Sequence, residues 1–336
     1  MKAVVQVRVG EPPSTFELRD IPAPKHPGDD NVIIDIDLAS MHHGDLFMSR
    51  KETAIPDSPG YAMRGNEAVG RIAAIGSNAA RTSRFKVGDR VTTYLASYAW
   101  SEQVECPEAL ILEAPDDIPD TVAAQLYVNT VTAFMVFRAM REALQAQGLN
   151  GPVLLTGASS AVGRILAHLS REAGLDVIGL TRSEAAARRT AELVPGVRFF
   201  ATATSGWLNT LEAETGGRQF AVLGDCVSGA LLTELDPLIA NSASIITYGG
   251  LDPNPIGITG LQVASRGIVV RGIPIFLWFN APQAQQQADI ADALALGRAH
   301  PELFPTGGVY DLADWAAAVT AVEAPGRDGF VFLKMR

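Results

Sequence analysis

The sequence predicts an α/β protein in which a doubly wound parallel sheet interrupts a β-rich segment. Three observations carry that expectation. First, apolar segments at 2–9, 31–39, 68–75 and 90–95 alternate with turn-forming pairs such as Pro12-Pro13, Pro27-Gly28, Pro59-Gly60 and Gly88-Asp89, which is the pattern of strands joined by turns. Second, the texture changes near Asp120: Thr121 to Gln147 is Ala-rich and Gly-free and reads as helix, closed by Gly148 and Gly151. Third, strands at 152–156, 176–181, 197–200, 219–225, 243–247 and 268–273 alternate with helices at 163–173, 183–193 and 230–240. Alternation at that spacing implies βαβ units and a parallel sheet. In the first of these helices Val162, Leu166, Leu169 and Ala173 share one face at 4-3-4 spacing. Two further helical stretches, 281–299 and 312–324, lead to a closing strand at 330–333.

Bulk numbers narrow the function. A chain of 336 residues with 47% hydrophobic and 19% charged residues suits a soluble protein of two domains. A net charge of −10 with no Lys/Arg run argues against nucleic acid as a partner. The opening Met-Lys-Ala-Val-Val-Gln-Val reads as a strand, so no secretory signal is expected. No apolar run reaches the roughly 18–20 residues of a membrane helix. Two cysteines, Cys106 and Cys226, can build neither a disulfide framework nor a four-cysteine zinc site. A reduced, cytoplasmic setting is the expectation.

The segment TGASSAVGR, 156–164, follows the apolar run Val153-Leu154-Leu155. A strand running through small residues into a helix is how dinucleotide-binding domains hold a pyrophosphate. In the register of G-x-G-x-x-G the three positions are Ala158, Ser160 and Gly163, so only the last is glycine. Alanine and serine are small enough to turn the chain and admit phosphate in the first two places. Ser159 and Ser160 offer hydroxyls, and Ala161, Val162 and Gly163 begin the helix whose amides and dipole favour an anion. At the tip of the second strand, Gly179-Leu180-Thr181-Arg182-Ser183 lacks the acid that would hold a ribose 2′-hydroxyl. Arg182, with Arg188 or Arg189 one to two turns on, can instead hold a 2′-phosphate. Glu184 fits as an acid complementing the helix dipole. The cofactor expected here is NADPH.

TGASSAVG also looks like the short-chain dehydrogenase loop. None of the six tyrosines (61, 94, 98, 127, 248, 310) has a lysine four places later, however, and the loop lies some 150 residues into the chain. The chain as a whole resembles the medium-chain dehydrogenase/reductase superfamily, in its zinc-free quinone oxidoreductase and 2-enoyl thioester reductase branch. The resemblance rests on GNEAVGRIAAIGSNA (65–79), FKVGDRV (85–91), VNTVTAF (128–134), DCVSG (225–229), IITYGG (245–250), VVRG (269–272) and GFVFL (329–333), in this order and spacing. It implies a GroES-like catalytic domain of 1–122 and 274–336, with a Rossmann domain of 123–273 inserted and the active site in the cleft between them.

The resemblance also implies site residues. Zinc-dependent members bind metal at positions matching His42, Asn66 and Val128 or Asn129. Asparagine is a poor zinc ligand and valine is none, so no metal is expected and alcohol oxidation is disfavoured. Hydride transfer to a quinone or to the activated C=C of an α,β-unsaturated carbonyl or enoyl compound suits such a site. A proton must then reach the α-carbon. The tyrosine that assists this step in thioester reductases falls at Thr53 here. Tyr61, Tyr94 and Tyr98 are alternatives, each equally able to be pocket wall, and His42-His43 can either protonate substrate or line the cleft. Asn129 and Thr132 would lie near the nicotinamide, and Tyr248 and Gly249 beside the cofactor. Phe276, Leu277 and Trp278 would close over it or pack as core. A homodimer paired through 268–273 is the family expectation. The rival functions are a zinc-type alcohol dehydrogenase and a cofactor-binding scaffold or sensor without turnover.

Overall fold

The computed structural model describes residues 1–50, 55–56, 59–95, 98–148 and 151–335. Its contacts divide into two units: Met1–Val128 with Ala293–Arg336, and Asn129–Asp292.

In the first unit the ten-residue strand Asn31–Ser40 is the hub. It pairs antiparallel with Glu67–Ile75, Gln103–Pro107 and Phe330–Lys334. Arg90–Tyr94, Ile111–Glu113 and Thr306–Asp311 complete a seven-stranded sheet. The apolar positions Val32, Ile34 and Ile36 alternate along the hub strand and pack with Met41, Trp100, Val331 and Leu333 into one core, as a half-buried strand demands. Gly70 is required where it sits, because a Cβ there would strike the Asp35 carbonyl of the paired strand. A second, three-stranded sheet joins Phe16–Asp20, Lys2–Gln6 and Ala62–Met63.

The second unit is a six-stranded parallel sheet. Its order is Arg198–Ala201, Val177–Thr181, Val153–Leu155, Phe220–Asp225, Ile239–Thr247, Val269–Gly272. Counted within the unit this is 3-2-1-4-5-6, the doubly wound Rossmann order, with its switch point beside the strand that feeds the small-residue loop. All six expected strands are present within a few residues of their expected bounds.

Several elements depart from expectation for identifiable reasons. The expected helix 121–147 is two helices, Asp120–Ala123 and Leu126–Gln147. No glycine or proline marks the break. At the break the Gln125 side chain donates to the nearby Thr121 carbonyl (2.9 Å) and to a distant partner, the Phe304 carbonyl (3.0 Å). The expected helix 230–240 stops at Leu235 and turns through Asp236–Leu238, where Pro237 supplies no amide to continue it. Strand Thr306–Asp311, which contains two glycines, is an addition to the sequence reading and pairs with Phe330–Lys334. Helices Trp207–Glu214 and Gly260–Arg266 are additions to the sequence reading. Among the described residues no helix is long and apolar enough to cross a membrane.

Candidate active site

Each unit carries a polar centre. In the first, His42 precedes the helix His43–Ser49, and its backbone N–H donates to Asp45 Oδ2 at 3.0 Å. The Asp45 amide donates back to the His42 carbonyl at 3.0 Å, which holds the turn. Asn66 Nδ2 donates to the other Asp45 oxygen. Asp45 is buried, and burial pushes its carboxyl up to about 6, opposed by His42. The imidazole Nε2 of His42 lies 3.1 Å from Glu67 Oε2, and the ring sits edge-on to Phe330 with centroids 4.7 Å apart.

Glu67 is fully enclosed (0% exposed). Its Oε1 accepts the amides of Tyr127 (2.7 Å) and Val128 (3.1 Å), which are orphan donors at the start of helix Leu126–Gln147. Burial pushes the Glu67 carboxyl upward, and the hydrogen bonds from His42 and the two amides pull it back. Arg64, two residues before Asn66, donates to Gln6 Oε1 (2.7 Å) and the Met63 carbonyl (3.1 Å); burial lowers its pKa, against Asp45. Burial, reinforced by Arg327, likewise lowers His43. The carboxylate of Glu67 was not singled out from the sequence, although its place in Gly65-Asn66-Glu67 was quoted there.

These side chains do not fit a catalytic zinc. Asn66 is turned to Asp45, His42 to Glu67, and Val128 contributes only its amide. Among the described residues no three His, Cys, Asp or Glu side chains converge on a metal position.

The tyrosine candidates are dispersed. Tyr61 packs on the apolar cluster of Ala3, Val5 and Ile21 beside the three-stranded sheet, with the Arg19 guanidinium 6.0 Å from its ring. Tyr94 is 1% exposed and so presents no open face within its unit, whereas Tyr98 is 47% exposed. Tyr98 stands at φ +102°, tied by its amide to the Gly65 carbonyl at 2.8 Å. A side chain in that sparsely populated backbone region is held there by its surroundings. Thr53 lies outside the described residues.

In the second unit the strand Val153–Leu155 enters helix Ala161–Glu172 through Thr156–Ser160. The tight turn falls at Gly157 (φ +56°), one residue before Ala158. That corrects the sequence register: a left-handed residue is needed there, and only glycine adopts it freely. Ala158 is instead fully buried, its amide on the Leu180 carbonyl at 2.8 Å. Ser160 caps the helix, its Oγ accepting the Gly163 amide at 3.0 Å. Gly163 does have the packing role expected of it: a Cβ there would lie 2.6 Å from the Gly157 carbonyl oxygen. Buried Arg164 straps the loop by donating to the Ser159 carbonyl at 2.5 Å, a contact sequence reading missed.

The amides of Ser159, Ala161 and Val162 take no acceptor among the described residues. Three free amides at a helix N-terminus form an anion site, and the pyrophosphate of a dinucleotide fits it.

Around that site the fourth and fifth strands end together. Thr156 Oγ1 donates to Asp225 Oδ1 (2.6 Å) and accepts the Cys226 amide (3.0 Å). Asp225 also accepts the amide (3.2 Å) and hydroxyl (3.1 Å) of Ser228, holding that residue at φ +66° and ψ −158°, a region populated almost only by glycine. Tyr248 lies against Cys226 and Ser160, and burial raises its phenol well above the ordinary value. Burial also pushes the Cys226 thiol up to about 12, which marks it as unreactive. Gly249, against Cys226, is exposed.

Thr181 is buried, Arg182 exposed and Arg189 half-buried. Glu184 pairs with Arg188 at 3.5 Å and accepts the Thr204 hydroxyl at 3.1 Å, so its charge is spoken for. Asn129 and Thr132 are three residues apart on helix Leu126–Gln147, hence on one face. Trp278 is 4% exposed and donates to Asp289 Oδ2 at 2.9 Å. Asp289 is in turn held by both terminal nitrogens of Arg138 (2.7 and 3.0 Å). Trp278 is therefore an anchor of this unit, and Phe276 (67% exposed) and Leu277 (49%) are the open members of their segment.

Residues 28–116 match the alcohol dehydrogenase GroES-like domain. The chain is 25% identical to the mitochondrial enoyl-[acyl-carrier-protein] reductase of Arabidopsis thaliana over 298 residues, 87% of this chain and 77% of that protein. The human protein of the same name is 25% identical over 83% of this chain and 73% of its own length. Among solved structures, the Escherichia coli quinone oxidoreductase complexed with NADPH superposes with a TM-score of 0.83 at 16% identity, covering all of both chains. A quinone oxidoreductase from Pseudomonas syringae pv. tomato does so at 0.82 and 21%, covering 99% of each.

Proposed function

Because the chain belongs to the medium-chain dehydrogenase/reductase superfamily, in its zinc-free quinone oxidoreductase and enoyl reductase branch, we propose that it is an NADPH-dependent reductase of quinones or of activated C=C bonds. The observation that carries this is the loop 156–163, where three amides are left free at a capped helix N-terminus. Ser159, Ser160, Ala161, Val162 and Gly163 would hold the pyrophosphate. Arg182, with Arg189, would take the 2′-phosphate. Tyr248 and Gly249 would contact the adenine side or the middle of the cofactor. The bound cofactor supplies the hydride.

The chain's own part is to orient the acceptor, to stabilise the developing enolate oxygen and to hold a proton for the α-carbon. Asn129 and Thr132 are assigned to orientation. For the proton, His42 is favoured over Tyr61 and Tyr94, because its Nε2 lies 3.1 Å from Glu67 Oε2, whereas Tyr61 packs on an apolar cluster and Tyr94 is buried. A metal-free site agrees with the donors found, since Asn66 and Val128 replace two ligands.

Dimerisation is part of the same proposal. Strand Val269–Gly272 is exposed along its length, pairs among the described residues only with Ile239–Thr247, and exposes Val269 (47%) and Val270 (38%). An open apolar edge of this kind invites pairing with a second copy. Two free, buried cysteines agree with a reducing, cytoplasmic setting.

The test is consumption of NADPH, with NADH in parallel, across quinones, enones and enoyl thioesters, together with metal analysis. Turnover with NADPH and one of these acceptors is the expected result. One tightly bound zinc per chain with alcohol oxidation would replace this function by a zinc-type dehydrogenase. Tight NADPH binding without turnover on any acceptor would leave a scaffold or sensor.

A further inference from the structure

We propose that Arg327 binds an oxyanion, a carboxylate or a phosphate group, beside His43 in the first unit. The binding itself stands apart from the reductase function above; only the acceptor as source of the anion rests on it.

Arg327 follows helix Trp315–Glu323 and precedes strand Phe330–Lys334. It is half-buried. Its Nη1 donates to the Val322 carbonyl at 2.9 Å, and its guanidinium carbon lies 6.0 Å from the centre of the Phe330 ring. Among the described residues no carboxylate meets it, and burial lowers its pKa with no acid opposing. Arg50, Arg90, Arg138 and Arg266, also partly buried, each hold an Asp or Glu. Withdrawing a cation from water without a counter-charge is costly. A half-buried guanidinium of this kind calls for an anion.

The nearby acids do not supply it, because Glu11 and Glu323 are both taken by Arg50. Burial first, then Arg327 and Arg50, hold the His43 pKa low against Glu323, so the local field is positive. His43 is exposed, which leaves the spot open to a ligand from solvent. A guanidinium presents five N–H groups in a planar fork. With Nη1 on Val322, the edge of Nε and Nη2 is the one that can make two parallel bonds to one carboxylate or phosphate. The Phe330 ring beside Arg327 also meets His42, with centroids 4.7 Å apart. A chain of net charge −10 without a basic run is no receptor for a polyanion; the ligand is a single anionic group.

Inorganic phosphate is the probe, titrated into the whole protein at constant ionic strength with chloride as the balancing ion. Two nitrogen-15 NMR signals read the site: the Arg327 Nε–H, assigned by its loss in Arg327→Gln, and the His43 imidazole, assigned by its loss in His43→Asn. Both should shift together and saturate at roughly millimolar phosphate, as one charged contact predicts. The bound anion offsets the Arg327 charge, so the His43 pKa should rise. In R327Q the His43 response should vanish. Arg327→Lys keeps the charge without the fork and should retain a weaker response, which decides the matter if the glutamine variant melts early. Shifts that never saturate, that chloride reproduces, or that persist at His43 in R327Q would overturn the proposal.

Kinetics then separate the sources of the anion. If the acceptor carries it, R327Q should raise the KM roughly tenfold for a 2-enoate or a coenzyme A thioester, and leave a neutral enone and the affinity for NADPH unchanged. If it is a free ion, every KM stays at the wild-type value while phosphate binding is lost. Equal KM losses for charged and neutral acceptors would refute the acceptor as source. A wild type that turns over no acceptor would sink the reductase function, and the phosphate titration would still decide the role of Arg327.

Discussion

Replacing Gly163 by alanine is the most direct test of the phosphate loop. The added Cβ would sit 2.6 Å from the Gly157 carbonyl oxygen and 2.8 Å from the Ala158 Cα. Non-bonded carbon is comfortable at about 3.5 Å, so helix and loop must part by roughly 1 Å. Overpacking of this kind costs about 1–3 kcal/mol. The neighbours that must give are backbone atoms of the loop that would carry the pyrophosphate, so the strain falls on the anion site. If all of it is lost from binding, NADPH affinity drops roughly 5- to 150-fold. Cofactor fluorescence titration reads the affinity, and a thermal melt reads whatever share falls on stability. Gly260→Ala is the control, since nothing lies within 4 Å of a Cβ there and its φ is ordinary. A G163A protein that binds NADPH within twofold of wild type and melts at the same temperature would refute the packing argument, as would equal damage from G260A.

Three further outcomes are expected. Burial raises Asp45 from 3.8 to about 6, so the folded state holds that proton more tightly. The stability it contributes is present below about pH 4 and lost as pH rises through 6, a swing of about 3 kcal/mol. Asp45→Asn should therefore gain stability over wild type at pH 7 relative to pH 4 in denaturant titrations; an equal difference at both pH values would contradict the shift. Arg182→Ala should raise the KM for NADPH roughly tenfold or more, as loss of a charged hydrogen bond does, and leave that for NADH unchanged. Parallel losses with both cofactors would remove Arg182 from 2′-phosphate binding. Val270→Lys places a charge on the open strand edge and should convert a dimer to a monomer by light scattering; a monomeric wild type would refute the dimer.

The Rossmann sheet was legible because its signal is local. Strand, small-residue loop and helix follow one another within the twenty residues Val153–Glu172, and the alternation repeats. Arg182 at a strand tip is equally local. The break at Ala124-Gln125 and the strand Thr306–Asp311 were not legible, because each has a partner distant in the chain. Gln125 reaches Phe304, and Thr306–Asp311 pairs with Phe330–Lys334.

The candidate site divides in the same way. The sequence by itself determined that His42 and Asn66 stand at positions where related zinc enzymes have ligands, and that a small-residue strand-to-helix loop precedes an arginine-tipped strand. Residue types along the chain carry that much. It could not show that Gly157 rather than Ala158 makes the turn, since both are small and only backbone geometry separates them. Nor could it show that Trp278 is committed to Asp289, or that Glu67 joins His42 to the first turn of a helix 60 residues on. Those are decisions of tertiary structure, because a buried carboxylate must find its donors wherever the fold brings them.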